Sequence, residues 1–412
     1  MTGRTFVVVG ASLTGATAAA TLRERGFDGR LVVIGDEPDL PYERPGLSKR
    51  YLRGELTRDQ LTVRPEAWWK EHDVDLRLGA TVERVDPADR SVTVVGGDRI
   101  AFDAALVATG VRNRRIRVPG VELDGVFQLR RVGDADTIRE RAAKHRRAVV
   151  VGMGFIGAEV AASLRVLGLD VTVVGKQPTA MFSVLGLTLG RLVEAMHRDH
   201  GVEVITGDTI SSFDGARSVE AARTEGGRTI PCDLVVIGVG TEPNVEAMAG
   251  AGLDPIGGIT VDASLRTPLP GVFAAGDIAA HDHPVFGPVF GRIRVEHYDN
   301  ALRTGAHVAG SMLGSTEPFD DPHWFWSDQF ETELQMGGVR ITDDMVVRGS
   351  LEDRRFCAFF LDGASVLRAS LSMDWPRDVR RSLPLIRAGV APDRAALVDP
   401  SVDLRTLDPA RA

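Results

Sequence analysis

An α/β fold with two similar strand–turn–helix halves, followed by a separate α+β domain, is predicted by three features of the sequence. Two glycine-containing turns, Gly10-Ala11-Ser12-Leu13-Thr14-Gly15 and Gly152-Met153-Gly154-Phe155-Ile156-Gly157, each follow a β-branched apolar run and open an alanine-rich helix. At 412 residues the chain is too long for one ordinary core, which favours two or three domains. From about Pro318 onward the pattern changes to short alternating apolar runs near several tryptophans, which predicts the last domain.

Each half is predicted to contain a βαβ unit. In the first half, an apolar strand at 6–9 precedes a helix over about 16–25 and a second strand at 31–34. The second half repeats this order over 148–174, with its helix at 158–167. Strands and helices that alternate in this way are typical of a parallel sheet with crossover helices.

Later strands indicate how the two halves are arranged along the chain. The apolar runs at 104–107 and 234–237 each end in a glycine turn, and 272–277 looks like a return to the first domain. The second half is therefore predicted to be inserted into the first. The predicted domains are 1–113 with 245–320, 114–244, and 321–412. The Asp-, Pro- and Ala-rich stretch from Ala391 onward is expected to be a poorly ordered tail.

Composition and charge argue against several classes of function. The formal net charge of −8 argues against nucleic-acid binding. The two cysteines, Cys232 and Cys357, form neither a local dithiol nor the four thiolates of an iron–sulfur cluster, and no metal site is expected. No run approaches about 18 apolar residues, and the N-terminus passes straight into a strand, so we expect a cytoplasmic protein without a membrane segment.

The first glycine turn is typical of dinucleotide binding. Gly10 permits the tight bend, Gly15 lets helix and strand approach, and the helix N-terminus offers amides to a pyrophosphate. Ser12 replaces the middle glycine and narrows that approach. The candidate residues of this turn are Gly10, Ser12, Leu13, Thr14 and Gly15. Asp36 and Glu37 follow about 20 residues later, where a carboxylate binds ribose hydroxyls; without the turn they would be interpreted as surface acids.

The second turn carries all three glycines. Its candidate residues are Gly152, Gly154, Phe155, Ile156 and Gly157. The acidic residue expected after the next strand is replaced by Lys176. A lysine there would pair with a 2′-phosphate, which favours NADPH or the use of both nicotinamides. The alternative is that Lys176 faces solvent and another residue binds the ribose.

Two dinucleotide sites in one chain predict electron transfer between two dinucleotides. A further cofactor signature, Ala275-Gly276-Asp277, lies far downstream. Together they predict a nicotinamide-dependent flavoprotein that uses FAD and either NADPH or NADH. The predicted fold class is thus α/β, with two Rossmann-like dinucleotide-binding domains and an α+β C-terminal domain.

Several motifs occur in a consistent order along the chain. They are Pro41-Tyr42-Glu43-Arg44-Pro45-Gly46-Leu47-Ser48-Lys49, Ala108-Thr109-Gly110, Gly238-Val239-Gly240-Thr241-Glu242-Pro243-Asn244, Ala275-Gly276-Asp277, Arg294-Val295-Glu296-His297 and Trp324-Phe325-Trp326-Ser327-Asp328-Gln329. In this combination the chain resembles the ferredoxin reductases of bacterial oxygenase systems, which include putidaredoxin, biphenyl-dioxygenase and rubredoxin reductases, with apoptosis-inducing factor as a distant relative. The resemblance covers Phe6 to about Gly349 and implies a glutathione-reductase-like architecture.

The resemblance implies a role for individual side chains. Arg44 and Lys49 would lie against the FAD, and Lys49 would pair with Glu159 beside the flavin edge that accepts hydride. Asp277 would hold the ribityl chain, Trp326 would stack near the isoalloxazine, and Glu296 would lie where the nicotinamide enters. Further candidate cofactor-binding residues are Val82, Ala108, Thr109, Gly110, Arg130, Gly238, Val239, Gly240, Gly276 and His297.

The proposed roles of Lys49 and Glu159 also have a physical basis. A lysine near the flavin stabilises the negative charge that builds up on reduction, and a carboxylate keeps that lysine charged and positioned. Outside these motifs, Lys49 would be interpreted as a surface lysine, Glu159 as an exposed helix acid and Trp326 as a core residue. Gly46 replaces the second proline of the family pattern and loosens this loop.

The sequence therefore predicts an FAD-dependent oxidoreductase. Hydride passes from NAD(P)H to FAD, and single electrons pass to a ferredoxin that serves a monooxygenase or dioxygenase; the protein is expected to be a monomer or homodimer. The alternatives are a nicotinamide-responsive flavoprotein with a binding or signalling role and a reductase of another small acceptor such as rubredoxin. Peroxide or disulfide chemistry would need a reactive cysteine, whereas Cys232 is expected in the core. Arg292, Arg294 and Arg303 are the candidate docking cations for an acidic ferredoxin.

Overall fold

The computed structural model describes residues 3–248 and 257–408. The chain divides into two compact units. The first unit is made of Met1–Glu43, Leu61–Arg112 and Glu242–Phe325. The second unit is made of Arg44–Gln60, Asn113–Thr241 and Trp326–Ala412.

The strands of the described residues are numbered in chain order. They are β1 (Thr5–Val9), β2 (Arg30–Ile34), β3 (Val74–Arg77), β4 (Val82–Asp86), β5 (Ser91–Val94), β6 (Arg99–Ala101), β7 (Ala104–Val107), β8 (Val111–Asn113), β9 (Val126–Gln128), β10 (Arg147–Val151), β11 (Asp170–Gly175), β12 (Glu203–Thr206), β13 (Ile210–Asp214), β14 (Ala221–Thr224), β15 (Thr229–Pro231), β16 (Leu234–Ile237), β17 (Thr241–Pro243), β18 (Ile259–Val261), β19 (Val272–Ala274), β20 (Ala279–His281), β21 (Trp324–Gln329), β22 (Thr332–Gly338), β23 (Met345–Ser350), β24 (Arg355–Leu361) and β25 (Leu367–Met373).

Seven of the α-helices of the described residues lie between these strands, and two follow the last strand. The α-helices are α1 (Leu13–Glu24), α2 (Glu66–Glu71), α3 (Val132–Ala142), α4 (Phe155–Val166), α5 (Phe182–Asp199), α6 (Gly287–Phe290), α7 (Tyr298–Met312), α8 (Pro376–Arg387) and α9 (Arg394–Val398). Short 3₁₀ helices cover Arg44–Gly46, Asp59–Leu61, Glu246–Met248, Gly276–Ile278 and Leu404–Leu407.

A parallel sheet of order β3-β2-β1-β7-β19 forms the centre of the first unit. The register pairs Val8 with Val33 and with Leu106. All three side chains are fully buried, because a strand covered on both faces needs a continuous apolar run. Helix α1 packs against α7. The sheet thereby brings the carboxyl ends of β1 and β2 to one edge, where a dinucleotide binds in such folds.

The second unit repeats this plan with a parallel sheet of order β12-β11-β10-β16-β9. Its core includes Val149, Val235 and Cys232. The expectation that Cys232 is a core residue is therefore confirmed. Strands β13, β14 and β15 form an antiparallel sheet of their own in the same unit.

The C-terminal part forms an antiparallel sheet of order β21-β22-β25-β24-β23, with α8 packed on β22 and β25. Arg348 in β23 is buried and donates hydrogen bonds to the carbonyls of Leu397 (2.7 Å) and Ala396 (2.8 Å). The expectation of a poorly ordered tail from Ala391 is wrong for 391–408, because a buried arginine binds this segment. Residues 409–412 lie outside the described residues.

Both predicted helices begin earlier than expected. Helix α1 starts at Leu13 rather than Ala16, and α4 starts at Phe155 rather than Ala158, because the last residues of each glycine turn already belong to the helix. The predicted domain borders near 113, 244 and 320 lie close to those of the two units, but residues 44–60 and 326–412 belong to the second unit. The division into three domains remains a prediction.

Candidate functional site

The first glycine turn joins β1 to α1 in the first unit. Gly10 has a φ of +115°, and a Cβ on Gly15 would lie 1.9 Å from the Gly10 carbonyl oxygen, so no side chain fits there. Ser12 is the N-cap residue of α1, but its side chain makes no capping hydrogen bond. The first N–H groups of the helix are therefore left to another acceptor, as a bound pyrophosphate requires. Leu13 and Thr14 are buried beneath the turn.

The downstream signature lies next to this turn. Gly276 has a φ of +74°, and a Cβ there would lie 2.3 Å from Thr14 Oγ1. The Gly276 N–H donates to Thr304 Oγ1 of α7 (3.0 Å). The structure thus brings Gly276 and Asp277 to the first turn. Thr304, within α7, is a residue that the sequence analysis missed.

A second backbone segment is fixed beside β7 in the same unit. Thr109 Oγ1 donates to the Asn244 carbonyl (2.8 Å), and Asn244 Nδ2 donates back to the Thr109 carbonyl (2.9 Å). The Asn244 N–H also donates to the carbonyl of Gly110 (3.0 Å). Asn244 therefore holds the predicted segment Ala108-Thr109-Gly110 in place. Asn244 ends the motif that begins at Gly238, but the sequence analysis gave it no role.

The two predicted acids follow β2. A Cβ on Gly35 would lie 2.5 Å from the Ala11 Cβ, so this strand end lies against the first turn. Asp36 is exposed. Glu37 Oε2 accepts a hydrogen bond from the Tyr42 hydroxyl (2.5 Å). Both carboxylates thus lie beside the turn, as a ribose-binding acid would.

The second glycine turn has the same geometry in the second unit. A Cβ on Gly157 would lie 2.0 Å from the Gly152 carbonyl oxygen, and one on Gly152 would lie 2.2 Å from the Gly238 oxygen. Gly154 differs, because no described atom lies within 4 Å of a Cβ placed there. Ile156 is exposed on the first turn of α4. The turn is therefore closed toward the sheet and open above the helix N-terminus, where a phosphate fits.

Other predicted residues of this unit surround the same turn. The Gly238 N–H donates to the Val151 carbonyl (2.8 Å), and Val239 packs against the core that contains Val151. The Gly240 carbonyl accepts from the Arg114 N–H (2.9 Å). These contacts place the segment Gly238-Val239-Gly240 at the end of β16, beside the glycine turn at the end of β10.

Lys176 lines an open cavity of about 620 Å³ just beyond β11 and β12. Its other lining residues include Arg228, Asp208 and Glu225. Two cations and two carboxylates therefore share one cavity. The cavity is large enough for the ribose end of a nucleotide, but the acids oppose the attraction of a 2′-phosphate.

The predicted pair Lys49 and Glu159 is formed, and it is buried in the second unit. Lys49 Nζ lies 3.4 Å from Glu159 Oε1 and 3.2 Å from Asp328 Oδ2. Glu159 is 5% exposed and Lys49 is 6% exposed, which excludes the alternative of a surface lysine and an exposed helix acid. Asp328 was not predicted as a site residue, although it belongs to the motif that begins at Trp324.

Two hydroxyl groups complete the surroundings of Glu159. Ser48 Oγ donates to Glu159 Oε2 (2.5 Å), and Ser327 Oγ donates to Glu159 Oε1 (2.8 Å). Burial raises the pKa of the Glu159 carboxyl, while the Lys49 ammonium and the serine hydroxyls oppose that rise. The carboxylate thus has three donors around it, and the sequence analysis missed both serines.

Two more predicted residues lie near this pair. Trp326 has its ring centroid 5.2 Å from Lys49 Nζ, and its indole N–H donates to Asp328 Oδ2 (3.2 Å). Arg44 donates to the carbonyl of Arg130 (2.7 Å), so the structure joins these two as well. Val82 differs from the rest: it starts β4 and packs against the core of the first unit.

The candidate nicotinamide-side residues are connected to Asp277 in the first unit. Arg294 Nη1 donates to the Asp277 carbonyl (3.0 Å) and to Glu296 Oε1 (2.5 Å). His297 stacks on Phe325 with ring centroids 4.1 Å apart. Burial lowers the pKa of His297 to about 4, so its ring is neutral at pH 7. Arg294 thus orients Glu296, a connection that the sequence did not reveal.

The candidate docking arginines need a correction. Arg294 is mostly buried, with 17% of its side chain exposed, and it binds Asp277 and Glu296 inside the unit. Arg292 and Arg303 are more exposed, but Arg292 pairs with Asp282 (3.2 Å). Arg303 pairs with Asp299 (2.8 Å). Arg294 is therefore wrong as a surface cation, because its guanidinium is needed for these internal contacts.

Comparison with known proteins places the chain in a family. Residues 4–305 match the model of pyridine nucleotide-disulphide oxidoreductases, and residues 324–408 match a reductase C-terminal domain. The chain belongs to the pyridine nucleotide-disulphide oxidoreductase family. This oxidoreductase uses FAD and NAD(P)H, as the sequence predicted, and the predicted fold class is confirmed.

Proteins similar to this chain include rhodocoxin reductase and several ferredoxin reductases. The oxidoreductase is 37% identical over 400 residues to rhodocoxin reductase of Rhodococcus erythropolis, covering 96% of this chain and 92% of that protein. A ferredoxin reductase from Rhodopseudomonas palustris has a TM-score of 0.93 at 33% identity, covering 98% of this chain and 100% of the other. The covalent complex of putidaredoxin reductase with putidaredoxin gives a TM-score of 0.94 at 30% identity, covering 99% and 98%. The resemblance to ferredoxin reductases is confirmed.

The cysteines of this family member do not form a redox pair. Its two cysteines are both free and buried. Burial raises the pKa of Cys232 to about 12 and that of Cys357 well above its usual range. Neither thiol is available as a thiolate at neutral pH, so these residues do not support disulfide chemistry. Within the described residues, no helix is both long enough and apolar enough to cross a membrane.

Proposed function

We propose that this chain is a ferredoxin reductase that passes electrons from NAD(P)H to a small iron–sulfur protein serving a monooxygenase or dioxygenase. The observation that carries the proposal is the buried Lys49 held between Glu159 and Asp328. A charged lysine is costly to bury unless it is paired, and here two carboxylates hold it in place. FAD, when bound, accepts two electrons as a hydride and can release them one at a time.

The two glycine turns supply the binding sites. The turn at Gly10–Gly15, together with Asp36 and Asp277, would hold the FAD. The turn at Gly152–Gly157 would hold the pyrophosphate of NAD(P)H, since the space above Gly154 is open. Helix N-terminal amides and positive dipole ends stabilise phosphate at both places.

Lys49 supplies a positive charge at the proposed flavin site. Its ammonium stabilises negative charge that develops next to it, and its position is fixed before reaction by two carboxylates. Glu159 takes no proton from the substrate in this scheme. It holds Lys49 in position, while Trp326 covers the ammonium.

The electron acceptor is proposed from chemistry and from the relatives. The chain has no local pair of cysteines that could take electrons from the flavin, so we place the electron acceptor on another molecule. Rhodocoxin reductase, as its name says, acts on rhodocoxin, and the complex with putidaredoxin shows a reductase of this fold with such a partner. The two buried, unpaired thiols fit the reducing cytoplasm in which we propose that the protein works.

Anaerobic stopped-flow absorbance tests this proposal. The purified protein is mixed with NADPH or NADH, and the reduced protein is then mixed with a [2Fe–2S] ferredoxin. Rapid flavin bleaching followed by rapid reduction of the ferredoxin is expected. A flavin that is reduced by neither NADPH nor NADH would contradict the proposal that this protein is a reductase. Fast flavin reduction with a long-lived charge-transfer complex and no transfer to ferredoxin or rubredoxin would favour the nicotinamide-responsive binding protein.

A further inference from the structure

A chain of buried polar side chains runs from helix α5 to Glu159 in the second unit. His197 Nε2 lies 2.9 Å from Gln329 Oε1, and Gln329 Nε2 lies 3.0 Å from Ser327 Oγ. Ser327 Oγ lies 2.8 Å from Glu159 Oε1. His197, Gln329 and Ser327 are each 0% exposed, so no solvent reaches any link of this chain.

The direction of each hydrogen bond follows from the state of His197. Burial lowers the pKa of His197 to about 4, so its ring is neutral at pH 7 and carries one N–H. His197 Nδ1 is buried without a hydrogen-bond partner among the described residues. The proton therefore lies on Nε2 and is donated to the amide oxygen of Gln329.

That first bond determines the others. With its oxygen occupied by His197, Gln329 presents its amide N–H groups to Ser327 Oγ. Ser327 Oγ already accepts from Gln329, so its own proton is directed at Glu159 Oε1. Each of these three hydrogen bonds is thus donated in the direction of Glu159. This arrangement favours the ionised form of the Glu159 carboxyl.

Other charged groups around Glu159 are few. Lys49 contacts it directly, and Asp328 lies on the far side of Lys49. Arg53 lies farther off, 3.4 Å from the Ser163 hydroxyl, which itself donates to the Ser48 carbonyl. Lys49 is thus the single cation in contact with Glu159 among the described residues, and it is shared with Asp328. The Ser327 hydroxyl is a donor that the carboxylate does not share.

We infer that Ser327, Gln329 and His197 are positioning residues that keep Glu159 ionised and thereby fix Lys49. The inference rests on the proposed function, because it takes Lys49 as the cation beside the flavin. A purely structural role would be met as well by apolar side chains of similar volume, since a buried polar group without a function is often replaceable at no cost. A positioning role makes the hydroxyl and its orientation essential.

The pH dependence of the flavin midpoint potential tests this inference. Ser327→Ala removes a donor from Glu159, so the carboxylate takes up a proton at a higher pH and a negative charge near the flavin is lost. At pH 6 we expect the potential to become more positive by about 30 mV, equivalent to a tenfold change in the two-electron reduction equilibrium. The difference should diminish as the pH is raised, because a higher pH favours the ionised carboxylate in both proteins.

A double-mutant cycle shows whether Gln329 acts through Ser327. Gln329→Met keeps the volume but loses both hydrogen bonds, and alone it should shift the potential at pH 6 in the same direction. In the Ser327→Ala background it should add nothing, because the hydroxyl that it orients is gone. Ser327→Thr keeps a hydroxyl and should retain the potential of the natural protein.

Ser382→Ala is a matched control. Ser382 is also a buried serine in the second unit, and its hydroxyl lies 2.6 Å from that of Ser370. Its loss should lower stability and leave the potential unchanged. Should Ser327→Ala fail to fold, Gln329→Met compared with Ser327→Thr still provides the test.

The outcomes separate this inference from the proposed function. Unchanged potentials at pH 6 in Ser327→Ala and Gln329→Met, or a Gln329→Met shift that persists in the Ser327→Ala background, would overturn the inference while flavin reduction by NAD(P)H continues. A natural protein that binds no flavin, or whose flavin no nicotinamide reduces, would contradict the proposed function itself.

Discussion

Lys49 shows how a single side chain can hold a charge inside a protein. Its ammonium lies 3.4 Å from Glu159 and 3.2 Å from Asp328, and the face of Trp326 covers it. One cation between two carboxylates leaves a net negative cluster if both acids are ionised. The balance of this cluster therefore depends on the protonation of Glu159, whose pKa is raised by burial.

Replacing Lys49 should separate its electrostatic role from cofactor binding. In Lys49→Met we expect flavin reduction by NAD(P)H to slow by about 10²-fold, because a preorganised cation is lost while the side-chain volume is kept. Stopped-flow absorbance measures this rate, and the flavin spectrum confirms that FAD stays bound. Lys70→Met, at an exposed lysine paired with Glu66, is the control and should behave like the natural protein. An unaltered rate in Lys49→Met would refute its proposed role.

Lys176 provides a test of nucleotide preference. Lys176→Ala should reduce kcat/KM for NADPH by about tenfold and leave NADH nearly unaffected, since the lysine would pair with the 2′-phosphate alone. Steady-state reduction of an artificial acceptor with each nucleotide measures the ratio. Lys144→Ala, at another exposed lysine of the second unit, is the control. If both nucleotides respond equally, Lys176 does not contact the phosphate, and the opposing acids Asp208 and Glu225 dominate the cavity.

At the scale of the elements, two of the three glycines of the second turn, Gly154 and Gly157, are expected to respond differently to alanine. Gly157→Ala places a Cβ 2.0 Å from the Gly152 oxygen, so α4 must move away from β10 and the protein should unfold at a lower temperature. The added Cβ of Gly154→Ala meets no described atom within 4 Å, so the melting temperature should stay unchanged. The KM for NAD(P)H should rise. Thermal unfolding and steady-state kinetics distinguish the two. Equal melting temperatures would contradict the close packing at Gly157.

The turns could be predicted because their information is local. Gly10, Gly15 and the strand before them lie within a few residues, and the same holds for the second turn. The helix starts were missed because the turn residues Leu13 and Phe155 are already helical. Helix propensity does not mark these residues as the first of a helix. The parallel sheets followed from continuous apolar runs, whose burial on both faces is a local property of the sequence.

The residues around Glu159 could not be predicted because they come from distant parts of the chain. Ser48 and Ser327 reach one carboxylate from segments separated by more than half of the sequence. A serine has no local pattern that marks it as a donor to a distant acid. The same reason explains why Arg348, which binds the segment at 396–402, went unrecognised and that segment was expected to be a tail.

At the scale of the whole molecule, Arg348 links the last strands to the end of the chain. It is buried, with Nη1 3.2 Å from Asp378 Oδ2. Arg348→Ala leaves three carbonyls without their donor and Asp378 without its cationic partner, so we expect a loss of about 3–5 kcal/mol in the free energy of unfolding. Urea unfolding measures this, and limited proteolysis should cut near 394–402. Arg387→Ala, at an exposed arginine, is the control; a similar small effect in both would contradict the interpretation.

Buried histidines should make the protein sensitive to acid. Burial lowers the pKa of His281 to about 3 and that of His297 to about 4, below the value near 6.5 of an unfolded chain. Their stabilising effect is therefore full above pH 6.5 and is lost as the pH falls toward 4. The melting temperature should drop between pH 7 and pH 4.5, and His281→Phe should reduce the drop. His72→Phe, at an exposed histidine, should leave this drop in melting temperature unchanged.

The order of the strands along the chain has a consequence for biosynthesis. The sheet of order β12-β11-β10-β16-β9 draws its strands from 126–237, whereas the sheet with β1 needs β19 at Val272–Ala274. A ribosome therefore releases every strand of the second sheet before the first sheet can be completed. Until β19 is synthesised, β7 keeps an unpaired edge and the first sheet lacks the later residues of its core. We expect chaperones to bind the segment 5–107 during translation, and the sheet over 126–237 to form before the first sheet is complete.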